Sequence, residues 1–183
     1  MKTAMKNIFL LLSCVLIFAG CKKSVDELPE ATQTGANTFG LKLDGQFWVP
    51  QKFAGINAPI LSAQLTGTNQ NDLLLTAQNF ASEPTEKEFR LFIKNITGAG
   101  TYQLNEGTDI NNMGSSYAYY VKRKINPVNE WITSNQYTGS VTITKWDLPN
   151  MIVSGTFEFK AGSMDSSAAP ITVTDGRFDI KLQ

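Results

Sequence analysis

From Thr38 onward the apolar residues fall on alternate positions. Phe39, Leu41 and Leu43 make the first such run, followed by Leu61/Ala63/Leu65, Leu73/Leu75/Ala77, Phe89/Leu91/Ile93, Tyr102/Leu104, Tyr117/Tyr119/Val121, Val141/Ile143 and Met151/Val153 continuing to Phe157/Phe159. A period of two places these side chains on one face of an extended strand, and no window sustains the 3.6-residue period of a helix. Turn residues separate the runs: Asp44-Gly45, Gly67–Asp72, Thr97–Gly100 and Asp147–Asn150. Asp44-Gly45 predicts a two-residue hairpin that sets Leu41 opposite Trp48. In the last segment, ITVTDGRFDIKL, the apolar phase changes from Ile171 and Val173 to Phe178, Ile180 and Leu182. Either a hairpin at Asp175-Gly176 or a bulge inside one long strand restores a common face. Residues 105–116 carry no core pattern and predict a surface loop. The pattern predicts an all-β fold, an antiparallel β-sandwich or flattened barrel of about 9–11 short strands with little helix.

The first residues follow another logic. Lys2 and Lys6 precede an apolar run of 11 residues, Ile8 to Phe18, and Ala19-Gly20-Cys21 comes next. That run is a secretory signal core, too short for a spanning helix of roughly 20 residues. Two small residues and then a cysteine resemble a bacterial lipobox, with Phe18 standing where leucine is usual. The resemblance implies cleavage between Gly20 and Cys21 and a lipid on Cys21. Cys14 then leaves with the signal, so the mature chain has neither a free thiol nor a disulfide. Without Lys2 and Lys6, 14 of the 16 basic residues remain against 16 acidic ones, a net of −2. The domains read as a signal peptide over 1–20, a lipid-anchored flexible tether over 21–36 and one all-β domain over 37–183. The fifteen tether residues from 22 to 36 span about 20–25 Å as a flexible coil.

Composition narrows the chemistry. The chain contains no histidine, which removes Ser-His-Asp triads, Cys-His dyads and histidine zinc sites. No cofactor motif or metal site is read from it, and Asp109–Gly114 lacks the ligand pattern of a calcium loop. Basic residues are scattered, with Lys122-Arg123-Lys124 the densest cluster, so nucleic acid is not a partner and this triplet reads as a solvated strand edge. Carboxylate catalysis remains, with Glu130 and Asp147, each near a tryptophan, as the first pair to test for glycoside hydrolysis. Aromatics offer the alternative of ligand binding. Trp131, Trp146, Tyr119 and Tyr120 are the residues on which a glycan would stack. Trp48 falls on the core phase. Trp146 shares the phase of Thr142 and Thr144 and is expected outside, and one of Tyr119 and Tyr120 is expected exposed.

The run LPEATQTGANTFG (28–40), then Asp44-Gly45 and Trp48-Val-Pro50, resembles a family of small Bacteroidota lipoproteins of unknown function. Val153–Phe159 and Thr174–Ile180 fit the same family. Leu41 stands where that family often has cysteine. The resemblance implies an outer-membrane lipoprotein with an all-β domain, on either the periplasmic or the cell-surface side, and brings no catalytic residues. The function expected is a binding or accessory module of the envelope, not an enzyme, with a glycan or an envelope protein as ligand and the membrane engaged through lipid. The alternatives are a structural partner of a membrane complex or a carboxylate-dependent glycoside hydrolase.

Overall fold

Eleven strands, all paired antiparallel, make up the regular structure of this computed structural model, which describes residues 25–53, 59–82, 85–105, 114–123 and 129–183. The signal peptide, Cys21 and most of the 105–116 loop lie outside the described residues. In chain order the strands are β1 (Thr38–Leu43), β2 (Gln46–Trp48), β3 (Leu61–Thr66), β4 (Asp72–Ser82), β5 (Thr85–Ile93), β6 (Gly100–Gln103), β7 (Tyr117–Arg123), β8 (Asn129–Ile132), β9 (Gly139–Asp147), β10 (Ile152–Ser163) and β11 (Ile171–Lys181).

Two sheets share one strand. Sheet A runs β2-β1-β11-β10-β9-β6, and sheet B runs β10-β8-β7-β5-β4-β3. The body of β10, Ile152–Phe159, pairs with β9, while its end, Gly162 and Ser163, pairs with β8. β10 therefore turns the corner between the sheets. On the side of β2 and β3 the two sheets meet at a seam. Gln183 closes one part of it by donating its N–H to Ala63 O at 2.9 Å, and a bridge between Gln51 and Asn79 closes another. The product is an all-β antiparallel fold of the sandwich or flattened-barrel kind that period two predicts.

The local signals behave as their chemistry requires. Asp44 and Gly45 have φ of 48° and 82°, the two positive values of a type I′ turn, and Leu41 pairs with Trp48. At Asp175-Gly176 the chain forms a bulge: β11 runs on unbroken, and its register to both β1 and β10 slips by one residue there. Asp175 takes φ 53°, and Gly176 sits under the ring and carbonyl of Phe157, where any Cβ would come within 2.5 Å. The bulge returns Phe178 and Ile180 to the core beside Val173. Met151 departs from its expected alternation. It lies in the β9–β10 turn with φ 55°, 43% exposed. Strand β8 carries no alternating run, since its Trp131 and Ile132 are adjacent and face opposite sides.

The main core lies between the sheets and holds an aromatic chain. Trp48 meets Phe89 edge-on at 4.7 Å, Phe89 stacks on Tyr120 at 4.4 Å, and Tyr120 stacks on Trp131 at 5.4 Å. Sheet B has a second buried cluster on its other face: Phe92, Tyr117, Tyr119, Val121 and Ile132.

Candidate functional site

The four aromatics read as a ligand platform do not form one. Trp131 is 8% exposed, lies in the core, and satisfies its Nε1–H on Ala169 O at 2.9 Å. Tyr119 and Tyr120 point to opposite faces of β7, and both are buried, so neither is the exposed member of the pair. Trp146 is half-buried against the core instead of standing outside. A bulge in β9 accounts for the change. Lys145 pairs with Ser154 and Ile143 with Gly155, so Thr144 is an extra residue and Trp146 moves to the core phase opposite Val153. Burial raises the pKa of both tyrosine phenols; at Tyr119 the hydrogen bond to Glu130 adds to it, and at Tyr120 the charge of Asp44 does.

Glu130 and Asp147 belong to different sheets and are held locally. Glu130 accepts the hydroxyl proton of Tyr119 on the second face of sheet B. Asp147 closes the β9–β10 turn, accepting from Asn150 N at 3.1 Å and Asn150 Nδ2 at 3.0 Å; these bonds, with the charge of Lys145, hold its pKa low against a smaller desolvation effect. Neither lines either of the two recesses described below.

Lys122–Lys124 is not simply a solvated edge. Lys124 lies outside the described residues. Arg123 Nη1 bonds Glu86 at 3.0 Å and Glu88 at 3.2 Å, and Glu88 is only 3% exposed. Glu88 also takes a hydrogen bond from Gln78 Nε2 at 2.9 Å and pairs with Arg90, whose guanidinium lies 5.8 Å from the ring centre of Tyr119. Desolvation lowers the pKa of Arg123, but Glu88 and Glu86 more than offset it. Register places these residues beside Tyr119 and Val121, so a charged network adjoins the second apolar cluster. Lys122 instead faces Lys87 across the strands; burial and this like charge lower the Lys87 pKa.

Residues 32–36, read as flexible tether, are bound to the domain. Asp179 of β11, 1% exposed, receives Thr32 Oγ1 at 2.6 Å, Thr34 N at 2.9 Å, Gly35 N at 2.8 Å, Ala36 N at 3.1 Å and Ser154 Oγ at 2.7 Å. Burial pushes the carboxyl pKa up, and these hydrogen bonds together outweigh it, leaving the pKa well below the usual carboxylate range. Thus the TQTGA stretch at 32–36 wraps a buried carboxylate. Just upstream, Pro29 packs directly over Gly40, where a Cβ would come within 2.6 Å of the proline ring.

Pinning this strap creates the larger recess, a groove of about 1080 Å³ along the open part of the seam. The strap, residues 25–30, forms one wall. Phe39, Val49, Pro50, Ile60 and Leu61 supply apolar lining, and Lys52 stands at the rim. Asp26, Glu27 and Glu30 on the strap are exposed. A smaller, polar recess of about 470 Å³ lies at the β11 bulge, lined by Thr142, Thr156, Glu158, Asp175 and Arg177 among others. Sequence reasoning missed the groove because its walls come from five separated stretches, and the signature runs at 28–40 and 48–50 that supply part of them do not announce that they meet. The described residues contain no group of three or more metal-ligating side chains.

Fold and site together define an antiparallel all-β domain of sandwich or flattened-barrel form with a strap-lined groove at its seam. The family described as "Domain of unknown function (DUF6252)" matches residues 36–179, and the chain belongs to it. Neither a curated protein nor a solved structure matches the chain.

Proposed function

We propose that this protein is a lipid-anchored binding module of the outer membrane and that the seam groove is its ligand site. The observation that carries the reading is the groove itself. Its volume of about 1080 Å³ is at the large end of small-molecule sites and suits a ligand with an extended apolar surface. The lipobox-like Leu16–Cys21 and the resemblance to envelope lipoproteins support the location. The aromatics bear less weight, because burial removes Trp131, Tyr119 and Tyr120 from the surface.

Anchoring and binding are tested separately. Cys21→Ser should release the protein from the membrane fraction; retention there would sink the lipid anchor. For binding, the purified protein is screened by thermal shift against glycans and peptides, with Ile60→Ser as the groove variant. A ligand that raises Tm in the parent and not in Ile60→Ser supports the groove. A ligand that acts equally on both places the site elsewhere.

A further inference from the structure

The groove combines an apolar lining with an unbalanced rim. Asp26, Glu27 and Glu30 stand against Lys52, and none of the four has an ion-pair partner among the described residues. Among the described lining residues, three carboxylates stand against one ammonium, a local charge of −2. Such a rim repels anionic ligands and attracts cationic ones, most strongly at low salt.

Strand geometry adds a second feature. In β3 the even-numbered residues bond toward β4, as Gln78 N–H donating to Ile60 O shows, while odd-numbered residues point the other way, as Ala63 O accepting from Gln183 shows. Leu61, which lines the groove, therefore turns its own N–H and C=O toward the seam, and no described residue bonds them. An open strand edge beside an apolar lining suits an extended polypeptide, which supplies backbone partners and alternate apolar side chains together.

Location narrows the source. Val25 lines the groove, and four residue steps separate it from Cys21. An extended chain covers at most about 3.6 Å per residue, so a lipid on Cys21 holds the Val25 end of this wall within about 15 Å of the anchored residue. We infer that the groove receives an extended, basic and apolar segment of a membrane protein, close to the bilayer surface. This rests on the groove being the binding site.

The test uses purified protein carrying Cys21→Ser, so that lipid does not compete for the probes. Fluorescence anisotropy compares short labelled peptides of alternating Leu-Lys, Leu-Glu and Leu-Ser. The Leu-Lys peptide should bind about tenfold or more tightly than Leu-Glu, and added salt should weaken it. Glu27→Lys should weaken Leu-Lys binding several-fold, whereas Glu158→Lys, an equal charge change in the polar recess, should not. Equal binding of Leu-Glu, an equal effect of Glu158→Lys, or no binding of Leu-Lys overturns the inference. If Leu-Ser or Leu-Glu binds instead and Ile60→Ser abolishes that binding, the groove remains the site and only the ligand class falls. Binding indifferent to Ile60→Ser removes the groove as well.

Discussion

The outward faces of the two sheets differ sharply. On sheet A, Thr142, Thr156, Glu158 and Arg177 face away from the core and leave a polar recess, while Ser154 and Asp179 on the same face are buried beneath residues 32–36. On sheet B, the corresponding residues are Phe92, Tyr117, Tyr119, Val121 and Ile132, all buried, with Glu88 beside them inside an ionic network. Beyond the docked residues 32–36, sheet A has one wet side. The middle of sheet B, where β5, β7 and β8 lie, is buried on both, and β7 runs through five successive buried residues, Tyr117 to Val121. Strict alternation misdescribes β7, since a strand covered on both faces has no polar phase, whereas β4 of the same sheet keeps it.

The largest test of this contrast removes matched side chains from the two faces of β7. Tyr120→Ala and Tyr119→Ala should each cost about 3–5 kcal/mol in urea denaturation, as for buried aromatics generally. If Tyr119→Ala costs less than about 1 kcal/mol, the outer face of sheet B is wet like that of sheet A.

A carboxylate comparison follows. Asp179→Asn should lose about 2 kcal/mol at neutral pH, because an amide cannot accept all the donors that Thr32, Thr34, Gly35, Ala36 and Ser154 direct at it. The sign with pH is fixed by the depressed pKa. The folded chain holds Asp179 charged where an unfolded aspartate, near 3.9, takes up a proton. The stabilisation is complete above that value and declines as pH falls toward the folded pKa. Denaturation of parent and Asp179→Asn proteins at neutral and acid pH should therefore show the gap narrowing in acid; a constant gap would contradict the carboxylate's role.

Glu88→Ala on sheet B should cost about 1.5–2 kcal/mol by removing the carboxylate that Arg90 pairs with and leaving Arg123 and Gln78 with Glu86 alone. Glu158→Ala on the exposed face of sheet A should change stability by no more than about 0.5 kcal/mol. Equal effects would erase the distinction between the faces. Smallest among the packing changes, Gly176→Ala should cost about 1–2 kcal/mol, since the new methyl meets Phe157 unless the bulge opens. A neutral result would show that β11 relaxes freely at that point.

Much of the fold was legible because much of it is local. The type I′ turn at Asp44-Gly45 and the Leu41–Trp48 pair depend on four neighbouring residues. Runs such as Leu73/Leu75/Ala77 and Phe89/Leu91/Ile93 sit in the core as their alternation predicts. Trp146 was misread because the bulge at Thr144 is a relation between β9 and β10, and nothing inside VTITKW announces it. The phase change near Asp175 was visible, but the choice of bulge over hairpin lies in β1 and β10, which hold β11 in place on both sides of it.

The candidate site was less legible still. Leu28–Ala36 has tether composition, rich in polar residues with a proline and a glycine. Its attachment depends on a carboxylate 143 or more residues away. Taken alone, the sequence determined the all-β class, the turns and most core positions, because alternation and turn chemistry act between near neighbours. Tertiary structure alone decided that the strap docks, that a groove opens at the seam, and that the middle of sheet B is buried on both faces. Each of these depends on which distant surface removes water from a side chain, and that is a property of the assembled chain.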